Sequence, residues 1–434
     1  MNEFLNDEAN RCLQCKNARC QKGCPINTPI PEIIKLFKED KIKEAGEILF
    51  NNNPLSAICS IVCPVENQCQ KDCVRGIKGN SVEFNKIEEY ISNKFLEEVS
   101  LNQQAKLDTR IAIIGSGPAG ITIALILARK GYKVTIFESH SKIGGVLRYG
   151  IPEFRLSKGV LDRLEKELIS LNVKIRPNTL IGPVLTLDKL REDGYKAIFV
   201  GTGVWNPKAL GVKGESLGHV NYAINYLKDP SVYRLGDKVC IIGAGNVAMD
   251  AARTAKRNGA KEVTVLYRKG FEDMPATRLE INEAKEDGVR FELFKAPLEI
   301  LDEGVKYIET ERIVTESGRV STRNLEGTEN IFEYDSVVNS FFLPLLKNKL
   351  ENPKEELTKE INKMIDEGLC FEKDGIIYIK DNYLEGIVDV YKGKPYIDDK
   401  PVNNDLNTIL FSGDKILYRE NRFDVDLIKI IERK

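Results

Sequence analysis

Eight of the ten cysteines fall between Cys12 and Cys73, in two sets. The first, "CLQCKNARCQKGCP", has the spacing C-x2-C-x4-C-x3-C-P at Cys12, Cys15, Cys20 and Cys24. The second, "CSIVCPVENQCQKDC", reads C-x3-C-P-x4-C-x3-C at Cys59, Cys63, Cys69 and Cys73. Soft thiolates on loops short enough to wrap a metal cluster, with a Cys-Pro step, point to iron–sulfur chemistry. Neither set has the bacterial ferredoxin spacing. Zinc is the competing metal, although structural zinc usually pairs two short cysteine knuckles and only one C-x2-C occurs here. Structural or redox thiols are the third reading. Cys240, inside "KVCIIG", and Cys370 read as buried core thiols. His140 and His219 are the only histidines and lie far apart, which argues against a histidine-based metal site or triad.

A second kind of chemistry is written in glycine. "GSGPAG", with Gly115, Gly117, Pro118, Ala119 and Gly120, follows an apolar strand and opens an apolar helix. Such glycines permit a tight turn and bring a pyrophosphate onto a helix N-terminus, where backbone N–H groups favour anions. Glu138 closes the next strand, where a carboxylate would accept hydrogen bonds from ribose hydroxyls. The plan recurs at "GAGNVA", with Gly243, Gly245, Asn246 and Val247. There the following strand ends in Arg268 and Lys269 instead of a carboxylate. Cations at that place pair with a 2′-phosphate, favouring NADP(H) over NAD(H). A flavin with a nicotinamide implies hydride transfer, and no paired cysteines after Cys73 suggest a disulfide reductase.

The elements that must hold these residues follow from length and pattern. At 434 residues the chain can form several domains. Helical stretches such as "PEIIKLFKEDKIKEAGEILF" surround the cysteines, and "SLNQQAKLDTR" reads as a linker. The expected order is a helical cluster domain over 1–105, a first nucleotide segment over 106–230, a second nucleotide domain over 231–334 and a closing segment over 335–434. A formal net charge of -1 argues against a broad nucleic-acid-binding surface. No apolar run reaches a membrane span, and "MNEFLNDEANR" lacks the order of a signal peptide, so a cytoplasmic location is expected.

Taken together, both cysteine sets, "GSGPAGITIALILARKGYKVTIFE", "GGVLRYGIPEFRL", "GAGNVAMDAARTA" and "VTVLYRKGFEDMPA" resemble the glutamate synthase small (β) subunit group of flavoproteins. That group includes the N-terminal half of dihydropyrimidine dehydrogenase and the large subunit of NADH-dependent ferredoxin:NADP oxidoreductase. The resemblance covers residues 10 to 300 and implies an α/β chain. Its parts would be a helical domain with two 4Fe–4S clusters, then two Rossmann-like domains, an FAD domain with an inserted NADPH domain. It places Gly144, Gly145, Val146, Arg148 and Arg155 in the FAD site, and Asn246, Val247, Arg268 and Lys269 in the NADPH site. It also interleaves the cysteines. Cys12, Cys15, Cys20 and Cys73 would share one cluster; Cys24, Cys63, Cys69 and the carboxylate of Glu88 would hold the other, leaving Cys59 a non-ligand thiol.

The C-terminal part departs from the group. "YDSVVNSFFLP" lacks the expected glycine, whereas Gly413 and Asp414 are kept for the ribityl chain and bulky Tyr418, Arg419 and Arg422 follow. The resemblance implies an electron-input subunit that passes electrons between NADPH, FAD and the clusters, to or from a partner redox subunit or ferredoxin. The competing reading is a non-catalytic relay or assembly subunit with an eroded flavin site.

Overall fold

The computed structural model describes residues 3–98, 101, 103, 106–182, 184–314 and 320–341, together with short backbone strands between 370 and 416. Six helices build the N-terminal unit: α1 (Glu3–Arg11), α2 (Arg19–Lys22), α3 (Ile30–Lys38), α4 (Ile42–Asn52), α5 (Ser56–Val62) and α6 (Phe84–Glu98). The apolar faces of α3, α4 and α6 close a core of Ile33, Ile34, Phe37, Leu49, Ile87 and Ile91. The long helical stretch of the sequence is broken between α3 and α4, where Asp40 takes a positive φ of 57°. Cys69 belongs to this core, and Cys12, Cys20 and Cys73 pack against it.

The first nucleotide unit runs β1 (Arg110–Ile114), α7 (Pro118–Arg129), β2 (Lys133–Phe137), α8 (Val146–Tyr149), α9 (Lys158–Ser170), β3 (Lys174–Arg176), α10 (Leu187–Glu192) and β4 (Tyr195–Val200). Its parallel sheet has the order β3-β2-β1-β4. Phe50, Ile58 and Phe95 of the helical unit pack in the same apolar cluster as Ile113, Ile121, Leu125 and Leu164. The cluster-bearing helices are thus fastened to the first nucleotide unit through shared core rather than through a loose linker.

The second unit contains β5 (Val220–Tyr222), α11 (Ala223–Lys228), β6 (Lys238–Ile242), α12 (Asn246–Arg257), β7 (Glu262–Tyr267), α13 (Arg278–Glu286) and β8 (Arg290–Leu293). An antiparallel sheet follows in which β10 (Gly304–Val314) pairs with β9 (Lys295–Leu301), β11 (Val320–Asn324) and β12 (Asn330–Glu333), and then comes β13 (Ser336–Asn339). The parallel sheet has the order β5-β13-β6-β7-β8. It therefore draws β5 from before residue 231 and β13 from beyond residue 334, across the boundaries expected from sequence. The reason is burial. Every residue of β13 is buried, so the strand needs a partner on each side, and its register with Val220 and Cys240 supplies both. Cys240 is a fully buried core thiol whose pKa burial pushes up.

Further on, Cys370–Lys373, Ile376–Ile379 and Ile387–Val388 pair as an antiparallel sheet. Gly413, Asp414, Tyr418, Arg419 and Arg422 lie outside the described residues, as does the side chain of Cys370. Among the described residues no helix is long and apolar enough to cross a membrane.

Candidate functional site

The cysteine loops fold so that local quartets are split. Cys12 follows the end of α1, Gln14 turns the chain with a φ of 50°, and Cys20 rides on α2. Cys63 ends α5, and Cys69 and Cys73 lie on the irregular stretch before α6. Burial pushes the Cys20 thiol up to about 11, and its neighbours in order of influence are Cys73, Cys12 and Cys15. These four thiols line one cavity together with Leu13, Ile34 and Phe84, and Cys69 stands at its wall. Burial also pushes Cys63 and Cys69 up to about 12, and both feel Cys24 and Glu88. The structure therefore gathers Cys12, Cys15, Cys20, Cys69 and Cys73 around one cavity, and Cys24, Cys59, Cys63 and Cys69 near Glu88, with Cys69 between the two.

Cys59 stands beside the second group. Burial raises its pKa, and the Asn53 amide donates to its sulfur at 3.1 Å. The same Asn53 side chain accepts from Leu55 N at 3.0 Å, which orients it toward the thiol.

Glu88 tests whether a metal group fits. It is 8% exposed, yet has no hydrogen bond or cationic partner among the described residues. Desolvation alone pushes its carboxyl up to about 8. A buried carboxylate among three thiols, without a counter-charge, is a site that a cationic group would complete. Among the described residues no three His, Cys, Asp or Glu side chains close on one point as a single ion requires.

The first glycine loop assigns each glycine a task. Gly115 has a φ of +94°, and a Cβ on Gly120 would lie 2.0 Å from the Gly115 carbonyl oxygen. Gly117 is open, with only the Gly145 Cα at 3.9 Å from an added Cβ. Turn, close helix–strand packing and an open approach for a pyrophosphate are thus divided among the three, with Pro118 and Ala119 opening α7. The 144–145 turn is pressed onto this loop: Gly144 N donates to Ser116 O at 2.9 Å, and a Cβ on Gly145 would lie 2.6 Å from Gly117 Cα.

Glu138 is 4% exposed and accepts from Ser116 N at 2.9 Å, Ser116 Oγ at 2.5 Å and His140 N at 2.8 Å. Desolvation would raise its pKa, but these hydrogen bonds outweigh it and hold the carboxyl low. His140 stacks on Tyr149 with ring centroids 4.5 Å apart, and Trp205 lies 5.6 Å away. Sequence reading overlooked this aromatic group, because its members come from two loops and the end of α8, with Trp205 far along the chain from the other two.

Other expected flavin-site residues are placed differently. Val146 is exposed at the start of α8. Arg148 donates to Ile143 O and to Asp162, both at 2.6 Å. Arg155 turns toward the second nucleotide unit, pairing with Asp250 of α12 at 2.7 Å and Glu280 of α13 at 2.5 Å. Arg253 joins the same cluster through Glu280 at 3.5 Å and also pairs with Glu283 and Asp287. Asp250 lies inside "GAGNVAMDAARTA", and a carboxylate on an otherwise apolar helix face was the signal that could have found it.

In the second glycine loop, Gly243 has a φ of +114°, and an added Cβ would lie 2.3 Å from Ser340 Oγ. A Cβ on Gly245 would meet nothing within 4 Å, so this glycine leaves open the space a phosphate would take. Asn246 Oδ1 accepts from Thr277 N at 2.9 Å, while Val247 packs on the domain core. The two cations are unequal. Arg268 is exposed, whereas Lys269 is half-buried and donates to Val320 O at 3.2 Å.

Comparison with known proteins agrees with this division. Residues 2–100 match the family described as dihydropyrimidine dehydrogenase domain II, 4Fe-4S cluster, and residues 109–341 match pyridine nucleotide-disulphide oxidoreductase. The chain is 34% identical to the glutamate synthase (NADPH) small chain of Escherichia coli, over 77% of this chain and 76% of that one. It is 33% identical to the NADPH-Fe(3+) oxidoreductase subunit beta of Geobacter sulfurreducens, over 76% of this chain and 51% of that one. It is 34% identical to the NAD-dependent dihydropyrimidine dehydrogenase subunit PreT of Salmonella typhimurium, over 65% and 69%.

Proposed function

Because the chain belongs to the glutamate synthase small-chain family and to the pyridine nucleotide-disulphide oxidoreductases, we propose that it is the electron-input subunit of a larger redox enzyme. It takes hydride from NADPH onto FAD and passes single electrons through two 4Fe–4S clusters to a partner redox protein. When bound, these groups supply the hydride and electron chemistry; the chain binds and orients them.

Gly115, Gly117 and Gly120 cradle the FAD pyrophosphate, with Gly144 and Gly145 closing the loop from above. Glu138 holds the adenosine ribose by exchanging its present hydrogen bonds from Ser116 and His140 for ribose hydroxyls. Gly413 and Asp414 complete the flavin site in the closing segment. Gly243, Gly245, Asn246 and Val247 receive the nicotinamide dinucleotide, and Arg268 selects the 2′-phosphate. Cys12, Cys15, Cys20 and Cys73 bind one cluster, and Cys24, Cys63, Cys69 and Glu88 the other. No side-chain acid or base is needed for hydride transfer between stacked rings. The helical cluster unit extends over 1–105, and the NADPH unit interrupts the FAD unit.

The observation that carries this reading is the grouping of partly buried thiols around Glu88 in a helical unit whose core is shared with a glycine-loop Rossmann unit of the same chain. Its test is anaerobic purification followed by cofactor analysis. The expected result is one FAD and iron and sulfide for two clusters per chain, with a flavin absorbance that NADPH bleaches faster than NADH. Zinc in place of iron, or clusters intact beside a flavin that NADPH leaves oxidised, would reject it.

A further inference from the structure

We propose that the exposed face around Cys12, Cys15, Cys20 and Cys73 is the docking surface for a protein electron carrier with carboxylates around its own redox centre. This inference rests on the reading of these four thiols as a cluster site.

Charge provides the first argument. The two segments that carry the quartet, 11–24 and 71–80, hold seven basic residues against the single acid Asp72, a local net charge of +6 in a chain whose formal total is -1. Lys16, Arg19, Lys22, Lys71, Arg75 and Lys78 are all exposed. Asp72 lies 4.0 Å from Arg19, and among the described residues no carboxylate pairs with the other five. Glu8, the nearby acid of α1, is turned inward to Arg11 and the Glu83 backbone. Five exposed cations around the thiols are thus left without a carboxylate partner among the described residues.

Shape and apolarity provide the second. Leu13 is 55% exposed and Ile77 65%, although neither belongs to a large apolar patch. They flank a groove of about 360 Å³ lined also by Val74, Arg75 and Lys78. Leu13, Val74 and Arg75 line both this groove and the cysteine cavity, so one layer of side chains separates the surface from the thiols. An apolar centre with a charged rim suits a transient complex that is steered by charge and seated by a few apolar contacts. Duplex nucleic acid would use the same cations, but it has no use for Leu13 and Ile77 or for a redox site beneath them.

The test uses the full, cluster-loaded chain and an oxidised acidic 2Fe–2S ferredoxin, with binding measured by calorimetry so that no turnover is required. Affinity should fall about tenfold or more as ionic strength rises from about 20 to about 200 mM. The combined variant Lys16→Glu, Arg75→Glu, Lys78→Glu should weaken binding about tenfold or more at low salt with its cluster spectrum unchanged. Leu13→Ser with Ile77→Ser should weaken binding while leaving the salt dependence in place. An unchanged affinity in the charge-reversal variant, or equal binding of a duplex oligonucleotide by the wild type, would overturn the proposal. Bleaching of the flavin by NADPH is read on the same samples. Its loss in the wild type counts against the electron-input function, whereas the docking surface stands or falls on the binding data alone.

Discussion

Glu88→Gln separates a buried metal-site carboxylate from an ordinary helix glutamate. In the cluster-free fold the Glu88 carboxyl is pushed up to about 8 by burial, against an ordinary value of 4.5. A raised folded-state pKa means that stability is complete below 4.5 and is lost as pH rises through about 8. At about 1.4 kcal/mol per pH unit, that gap corresponds to a loss of about 5 kcal/mol once pH exceeds 8. Glutamine keeps the shape and carries no charge, so the variant escapes this loss.

The window isolates the effect. The neighbouring thiols Cys59, Cys63 and Cys69 have pKa values raised above 9, so they stay neutral in both proteins up to pH 8. Asp250 and Glu280 are also raised but are common to both proteins, so they cancel. Urea denaturation of chelator-treated, reduced protein, followed by circular dichroism, should therefore show the variant more stable by about 2–5 kcal/mol at pH 8 and nearly equal at pH 5. In cluster-loaded protein the order should reverse, with one of two electron paramagnetic resonance signals altered. Parallel pH slopes in the two cluster-free proteins would refute the reasoning, because Glu88 would then not be an uncompensated buried charge.

Removing Arg155 should loosen the joint between the nucleotide units. Arg155→Leu strands Asp250 and leaves Glu280 with Arg253 as its one remaining ion pair among the described residues, and is expected to cost about 3–5 kcal/mol at pH 8. The cost should be smaller at pH 6, where Asp250, pushed up to about 7 chiefly by burial, takes a proton; a cost independent of pH would contradict this account. Arg268→Ala should raise KM for NADPH about 10- to 100-fold, with little change for NADH. Lys269→Ala should do much less, since its ammonium is held by Val320 O; equal effects from the two would reject the assignment. Gly145→Ala places a Cβ 2.6 Å from Gly117 Cα at a φ of +51°, so purified protein should lose most of its FAD while keeping its iron.

The two glycine loops were legible because each carries its signal locally: strand, turn and helix are adjacent in sequence, and the glycine tasks follow from backbone geometry. The cysteines announced a metal site equally well, but spacing alone grouped them as two local quartets. The family resemblance, not spacing, suggested an interleaved grouping, and the fold returns Cys73 to Cys20 and Cys24 to Cys63. Glu88 was singled out by the family resemblance alone, since its burial is a tertiary property that no local pattern announces. The same holds for β5, three half-buried residues without a motif, which joins the second sheet only because β13 needs a second neighbour. Arg155 was read as a flavin contact; its pairing with Asp250 depends on how two units meet, and periodicity is blind to that.

The central claim, that electrons enter at NADPH and leave through the clusters by way of the flavin, is tested most directly by rapid mixing. Anaerobic holoprotein is mixed with one equivalent of NADPH, following flavin absorbance and freeze-quenched cluster resonance on the same time base. The account predicts flavin bleaching first, with cluster signals rising afterwards, and a slowing of both phases in Arg268→Ala. Cluster reduction that precedes or occurs without flavin bleaching, or a bleached flavin beside clusters that never become reduced, would contradict it.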